Sequence, residues 1–212
     1  MSADTLTPEL PAALHGRRLV VVDVEGNGQH PPEIIELAAL PIDDQNGGAE
    51  ADMRTWMVRP PKPITAMVTR KVHGIRDADV ADCPAWPEVA GEIAALLDGR
   101  ILLAHNASVE HRVIGAHLPE WRPPMVLDTL KLAKYVWLDL PGYGLDKLVA
   151  HAGIDPAGFA ESGHHRAAYD TWCAWQLLLR LIDDGELDWT GLVKVAALPG
   201  FAPVEEPDGG LW

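Results

Sequence analysis

The stretch RLVVVDVE, residues 18–25, decides the fold of this chain. It is short, apolar and rich in β-branched residues, which is typical of a β-strand. Asp23 and Glu25 stand near its end, and their spacing of two places both side chains on one face of the strand. Such a pair can share hard divalent cations, but a strand end that emerges into solvent would also explain it. The remaining segments decide between these two interpretations.

Further strands are predicted around the long turn that follows. IIELAALPI, residues 34–42, and ADMRTWMVRP, residues 51–60, flank the turn-rich DDQNGGAE. With the first strand they predict a three-stranded antiparallel meander. ILLAH, residues 101–105, is typical of a strand buried on both faces, and a fifth strand is expected near residues 125–127.

Apolar residues at helical spacing predict five helices around these strands. They are expected at residues 86–97, 107–117, 129–138, 145–152 and 166–182. After Gly185 the chain is rich in proline, glycine and acids without periodicity, so no further element is predicted there. We therefore divide the chain into an N-terminal arm, residues 1–16, a single domain, residues 17–184, and a C-terminal tail, residues 185–212.

Composition and charge narrow the function. The 212 residues are 48% hydrophobic and 23% charged, which supports one compact core. A net charge of −14 argues against a protein that holds nucleic acid by bulk positive charge. Two cysteines without paired spacing indicate neither disulfides nor structural zinc, and no apolar stretch is long enough for a signal peptide or a membrane span. We therefore expect a cytoplasmic protein that does not enter a membrane.

Two later segments place an acid near the start of a predicted helix. HNASVEHRVI, residues 105–114, contains Glu110, and HHRAAYDTWCAWQLL, residues 164–178, contains Asp170. These motifs follow VVDVEGNG, IIELAAL and VHGI in the chain. Over about residues 18–183, the ordered set resembles the DEDDh (DnaQ-like) 3′–5′ exonuclease family.

The resemblance implies a ribonuclease H-like α/β fold, in which three antiparallel strands and then parallel strands form a mixed five-stranded sheet flanked by helices. It also implies metal-dependent hydrolysis of phosphodiester bonds at the 3′ end of single-stranded DNA or RNA, with release of nucleoside 5′-monophosphates. By the same resemblance, two divalent cations, Mg²⁺ or Mn²⁺, are held by Asp23, Glu25, Glu110 and Asp170. His165 is the implied general base, a task that suits an imidazole titrating near neutrality.

Helix geometry restricts the position of His165 relative to Asp170. Five positions on an ideal helix rotate a side chain by about 140°, so the two residues cannot face one site from one regular helix. We therefore expect His165 in the loop before the last predicted helix. His164 is the competing candidate for the general base, and the four-residue gap before Asp170 favours His165.

The chain departs from the family pattern at two places. Glu110 stands where the family has aspartate, and either a shifted water accommodates the extra methylene or the site is weakened. Gly26, Asn27 and Gly28 follow the first motif where the family has threonine or serine. We predict that Gly26 and Asn27 contact the terminal nucleotide, although an ordinary turn explains these residues equally well.

His73 and Asn106 are further candidate substrate contacts. His73 lies in VHGI, where it can equally well bond its own backbone. Asn106 precedes the helix of the second motif, and a helix cap is its favoured role. Glu36 stands in an apolar strand and is expected to make structural hydrogen bonds and not to act as a fifth metal ligand. Arg166 is expected to pack or pair locally and not to act chemically.

Partners and rival functions follow from the same features. A few terminal nucleotides of single strand suit an acidic chain. Basic residues that flank VHGI can either guide this strand or belong to an ordinary solvated loop: Arg59, Lys62, Arg70, Lys71 and Arg76. The C-terminal tail either docks a protein partner or covers its own domain. The rival functions are a catalytically weak module that binds nucleic-acid ends or a protein, and a phosphodiesterase of short oligonucleotides.

Overall fold

The structure is a computed structural model that describes residues 10–159 and 165–201. Its strands are β1 Leu19–Gly26, β2 Ile34–Ile42, β3 Arg54–Met57, β4 Ile101–Ala104 and β5 Val126–Asp128. They form one sheet in the order β3-β2-β1-β4-β5. β1, β2 and β3 pair antiparallel, whereas β4 pairs parallel with β1 and β5 pairs parallel with β4. The predicted mixed five-stranded sheet is confirmed.

Eight α-helices surround the sheet in the part of the chain that the structure describes. They are α1 Ala66–Lys71, α2 Asp77–Val80, α3 Trp86–Leu97, α4 Ser108–His117, α5 Thr129–Val136, α6 Leu145–Ala152, α7 Ala167–Asp184 and α8 Trp189–Ala196. Short 3₁₀ helices lie at Ala12–Leu14, Glu50–Asp52 and Ala157–Phe159. None of the described helices is both long and apolar enough to cross a membrane.

β1 is buried on both faces because its alternate residues enter two different cores. Leu19 and Val21 pack with the apolar side of α7, whereas Val20 and Val22 pack with α3 and α4. The central strand of the sheet is therefore held on both sides. This packing gives the acidic pair at its end a rigid support.

The prediction that no element follows Gly185 is wrong. Asp188 caps α8 by accepting a hydrogen bond from a backbone N–H of its first turn, at 2.7 Å. Leu192 and Val193 are buried in a core shared with α5 and α7. Eight residues among prolines and acids are too short a pattern for periodicity to reveal. The described part of the tail thus covers its own domain, and residues 202–212 lie outside the described residues.

Part of the predicted N-terminal arm also belongs to the core. Leu10 and Leu14 are buried in the cluster that contains residues of α7 and α8. Residues 1–9 lie outside the described residues. The core therefore includes residues on both sides of the boundary that we predicted at residue 17.

Candidate active site

The four acids named from the sequence come together at the end of β1. Asp23 and Glu25 lie on the strand itself, whereas Glu110 and Asp170 lie in the first turns of α4 and α7. Glu25, Glu110 and Asp170 are buried, and Asp23 is half-buried. Each of the other three carboxylates acts electrostatically on Asp23. One strand end and two helix starts thus form a single acidic cluster.

Burial and mutual repulsion raise the pKa values in this cluster. Burial, followed by repulsion from Asp170 and Glu25, raises the pKa of Asp23 well above its usual range. Burial is also the largest cause that raises the pKa of Glu25 to about 8, and repulsion from Asp170 comes next. The pKa of Glu110 rises to about 8, again chiefly through burial. Buried carboxyls are costly to ionise unless a cation or hydrogen-bond donors compensate them, and such groups are typical of functional sites.

The donor atoms of this cluster fit a divalent cation. One ligand atom each from Glu25, His165 and Asp170 lies within 4.8 Å of the other two. Oε2 of Glu110 is buried without a hydrogen-bond partner in the described part of the chain. Mg²⁺ and Mn²⁺ prefer carboxylate oxygens, so a set dominated by carboxylates suits these ions.

His165 lies in the loop before α7, as helix geometry predicts. Its φ of 63° is a left-handed conformation, which costs a residue with a side chain about 1–2 kcal/mol. Its backbone N–H donates a hydrogen bond to Oδ2 of Asp170 at 3.1 Å. Both residues line a cleft of about 410 Å³ together with Asp23 and Asn106. His164, the competing candidate, lies outside the described residues.

A buried carboxylate attaches the start of α7 to the sheet. Glu36 of β2 lies opposite Glu25 in the antiparallel register. Its two oxygens accept hydrogen bonds from Nε and Nη2 of Arg166, at 3.0 and 2.8 Å. The backbone N–H of Ala167 donates to the same carboxylate at 3.2 Å. Glu36 therefore makes the structural hydrogen bonds that were expected of it, although its partner is far away in the sequence.

The predicted cap role of Asn106 is wrong. Ala107 occupies the cap position of α4, and no side chain makes the cap hydrogen bond. Asn106 has a φ of 68° and is exposed in the cleft, whereas a capping side chain normally requires an extended backbone. Contact with substrate therefore stays the prediction for Asn106.

Asp128 is a buried residue that the sequence analysis missed. It ends β5, and its Oδ1 caps α5 by accepting a hydrogen bond from the Leu130 N–H at 2.8 Å. The same oxygen accepts from the Asn106 N–H at 2.9 Å, which supports the left-handed turn at the cleft. An aspartate directly before a predicted helix is a cap signal, but no local pattern reveals the contact with Asn106.

Asn27 is placed where it cannot contact substrate, contrary to our prediction. Its side chain is fully buried. Oδ1 accepts hydrogen bonds from the N–H groups of Gln29 and Glu33, at 3.1 and 3.0 Å. Nδ2 donates to the carbonyl of Lys62 at 3.3 Å. The amide therefore holds the loop after β1 together and is not available to a ligand.

His73 and Gly26 lie at a second cleft of about 330 Å³, which Glu25 also lines. Nδ1 of His73 accepts a hydrogen bond from the Ile75 N–H at 3.0 Å, so Nε2 carries the proton and donates to the Gly26 carbonyl at 3.2 Å. Burial lowers the pKa of His73. The neutral ring thus ties VHGI to the end of β1, and a direct contact of His73 or Gly26 with substrate stays a prediction.

Arg112 is a cleft residue that the sequence analysis also missed. It lies on α4, two residues after Glu110, and lines the second cleft. Met67 and Val72 line the same cleft and are exposed. The second cleft therefore offers apolar surface and a guanidinium close to the acidic cluster. The position of Arg112 at this cleft depends on how α4 packs beside β1, and a single arginine has no distinctive sequence context that would predict it.

By class, the chain is a nuclease. More particularly, the exonuclease family RNase_T matches residues 20–178. Because this match spans most of the chain, the chain belongs to that exonuclease family. The predicted resemblance to the DEDDh (DnaQ-like) 3′–5′ exonucleases is confirmed.

The chain is also similar to segments of much longer proteins. It is 34% identical over 174 residues to the DNA polymerase III subunit epsilon-like protein of Rhodobacter capsulatus, which covers 77% of this chain and 23% of that protein. It is 31% identical over 171 residues to the PolC-type DNA polymerase III of Thermotoga maritima, covering 77% of this chain and 12% of the relative. The chain thus spans less than a quarter of the length of these curated relatives.

Solved structures show the same fold. A complex of Exonuclease X with 5′ overhanging duplex DNA has a TM-score of 0.65 and 25% identity, and covers 84% of this chain and 98% of that one. A zinc-bound complex of E. coli ExoI with ssDNA has a TM-score of 0.64 and 16% identity, and the match covers 80% of this chain and 41% of that one. A 3′-exonuclease in a structure of histone mRNA stem-loop recognition has a TM-score of 0.63 and 16% identity, and the match covers 84% of this chain and 68% of that one. The predicted ribonuclease H-like fold is confirmed.

Proposed function

We propose that this chain is a metal-dependent 3′–5′ exonuclease that hydrolyses phosphodiester bonds at the 3′ end of single-stranded DNA or RNA and releases nucleoside 5′-monophosphates. The observation that carries the proposal is the convergence of four acids from β1, α4 and α7 in one buried cluster, two of which, Asp23 and Asp170, line a cleft together with His165. Membership of the exonuclease family supports it.

Asp23, Glu25, Asp170 and Glu110 are the residues that would hold two divalent cations, Mg²⁺ or Mn²⁺. When bound, such cations activate water and stabilise charge on a phosphate. The buried, unpartnered Oε2 of Glu110 supports the view that glutamate serves here in place of aspartate. It disfavours a weakened site, because a buried carboxylate oxygen without a function would be a pure cost to folding.

His165 is the proposed general base. Its ring belongs to a loop that leads directly into α7, and its backbone bond to Asp170 keeps the loop against the acidic cluster. In this role the imidazole accepts the proton of the attacking water. A histidine suits the task because its pKa lies near neutral pH.

The substrate would lie across the two clefts, which the acidic pair of β1 connects. Asp23 lines the first cleft and Glu25 lines the second, so a phosphate between the clefts would face both. In this arrangement Asn106 and Gly26 would contact the terminal nucleotide and Arg112 would contact a phosphate, a proposal that their positions on the walls of the two clefts support. The net charge of −14 favours a short binding site with few phosphate contacts.

Product analysis on labelled strands tests this proposal. Single-stranded DNA and RNA, labelled at either the 3′ or the 5′ end, and a 5′ overhanging duplex are incubated with Mg²⁺ or Mn²⁺. We expect 3′-labelled strands to release labelled mononucleotide at once and 5′-labelled strands to shorten stepwise. Asp170→Asn is the matched inactive control. Release of the label from 5′-labelled strands before it is released from 3′-labelled strands would contradict the proposal, and so would equal products from wild type and control.

The same assay separates the rival functions. A binding module would retain the labelled strand without shortening it. A phosphodiesterase of short oligonucleotides would cleave dinucleotides much faster than longer strands, whereas we expect strands of several nucleotides to be preferred. The intact set of four acids favours catalysis over a purely binding role.

Three further points stay proposals. We propose that residues 17–184 and the following helix α8 form the exonuclease domain, because Leu192 of α8 is part of its core. A protein partner for the end of the C-terminal tail is proposed from its composition alone. A cytoplasmic location agrees with two free cysteines, Cys83 and Cys173.

A further inference from the structure

The carboxylate of Glu36 is placed inside the acidic cluster, yet it is occupied by hydrogen bonds. Glu36 of β2 is the residue paired with Glu25 on the neighbouring strand β1, and its side chain is 5% exposed. Nε of Arg166 donates a hydrogen bond to Oε2 of Glu36, and Nη2 donates one to Oε1. Oε2 also accepts a hydrogen bond from the Ala167 N–H. The carboxylate oxygens of Glu36 are therefore occupied by hydrogen bonds from protein groups and have little capacity left to bind a cation.

Arg166 stands at the point where the loop becomes helix. It separates His165, which is left-handed, from Ala167, the first residue of α7. The carbonyl of Arg166 accepts the first-turn hydrogen bond of the Asp170 N–H at 3.0 Å. Asp170 in turn accepts the His165 N–H at 3.1 Å through Oδ2. A continuous chain of hydrogen bonds thus runs from Glu36 in the sheet to His165 in the cleft.

We infer that Glu36 and Arg166 are positioning residues that hold His165 in register with Asp170. The inference rests on the proposed function, because His165 needs exact placement only if it serves as the base. The pair anchors the loop from one side, since a bidentate guanidinium on a buried carboxylate sets both the distance and the orientation of the backbone. The left-handed backbone of His165 requires such an anchor.

Lysine at position 166 separates orientation from charge. Arg166→Lys keeps the positive charge beside Glu36, so the buried carboxylate stays paired and the fold is preserved. It removes the two-point attachment, since an ammonium group is a single-point donor. Arg180→Lys is the matched control, because Arg180 pairs with Asp184 at 3.0 Å on the exposed side of the same helix.

The decisive measurement is a double-mutant cycle on hydrolysis of a single-stranded oligonucleotide with Mn²⁺. We expect Arg166→Lys to lower kcat about 10- to 100-fold with KM nearly unchanged, because displacement of a catalytic group by about 1 Å has effects of this size. In a His165→Ala background the same substitution should change kcat less than about 2-fold, since the residue it positions is gone. Arg180→Lys should match the wild type in both backgrounds.

Two kinetic results would overturn the inference. Losses that multiply in the double variant would show that Arg166 does not act through His165. A rise in KM with kcat unchanged would show that Arg166 instead binds a phosphate of the substrate. Glu36→Gln provides a second variant, and it should reproduce the fall in kcat and the same non-additivity with His165→Ala.

A spectroscopic arm keeps this inference separate from the proposed function. The histidine ring carbons are labelled, and the resonance of His165, assigned through His165→Ala, is compared among the metal-free variants. We expect Arg166→Lys to shift this resonance and Arg180→Lys to leave it in place. If the wild type hydrolyses no strand, the proposed function fails, and an unshifted His165 resonance in Arg166→Lys would by itself overturn the positioning role.

Discussion

Replacing Glu25 by glutamine should stabilise the metal-free protein, although it destroys a proposed cation ligand. The pKa of Glu25 lies at about 8 in the folded chain, against its usual 4.5, because the side chain is buried and faces Asp170. The folded state therefore binds a proton at Glu25 that the unfolded chain releases at neutral pH. Glutamine resembles the protonated acid and needs no proton, so the variant escapes this cost.

The size and the sign of the effect follow from the two pKa values of Glu25. Below pH 4.5 the acid is protonated in both states, so wild type and variant should differ little. As the pH rises, the wild type loses stability until the folded pKa of about 8 is passed. One pKa unit corresponds to about 1.4 kcal/mol, so the advantage of Glu25→Gln should reach about 3 kcal/mol at pH 7 and about 5 kcal/mol above pH 8.

Urea denaturation in excess chelator at pH 4.5, 7 and 8.5 measures the advantage directly. Glu36→Gln is the matched control: it replaces the opposite glutamate with the same residue, but it removes the charge and one of the two acceptors that pair with Arg166, so it should lower stability at neutral pH. Added Mn²⁺ should reverse the order of wild type and Glu25→Gln, because only the wild type keeps its full ligand set. A Glu25→Gln protein less stable than the wild type at pH 8.5 without metal would refute the reasoning.

Three further substitutions give separate tests. His165→Ala should lower kcat by about two to four orders of magnitude while calorimetric Mn²⁺ binding persists, and loss of that binding would contradict a base role. Glu110→Asp should maintain or raise turnover of a labelled strand, whereas a large loss would show a site adapted to glutamate. Leu192→Ala should cost about 2–5 kcal/mol in urea denaturation because Leu192 is fully buried, and a loss below about 1 kcal/mol would show that α8 is not part of the core.

The local sequence pattern was sufficient to predict a helix whose apolar periodicity extends over several turns and a strand that is buried on both faces. α3 begins and ends where its apolar spacing predicts, and β1 follows from its β-branched run. The side chains of Asp23 and Glu25 share a face because strand alternation leaves no other choice. The loop position of His165 followed from the rotation of an ideal helix alone.

The errors concern residues whose role depends on tertiary contacts. Asn27 follows a strand among glycines, which suggests an open turn, but segments brought together only by folding bury it. Asn106 has the composition of a cap, yet the bond to Asp128 holds it left-handed. α8 is stabilised mainly by burial of a few residues such as Leu192, which no local propensity indicates.

The central claim is that four acids from three elements form one acidic site that binds two divalent cations. Calorimetric titration of the chelator-treated protein with Mn²⁺ tests it most directly, with Asp23→Asn as the comparison. We predict saturable binding of two ions by the wild type, and loss of at least one of them in Asp23→Asn with the fold preserved. Identical titration curves for the two proteins would contradict the claim.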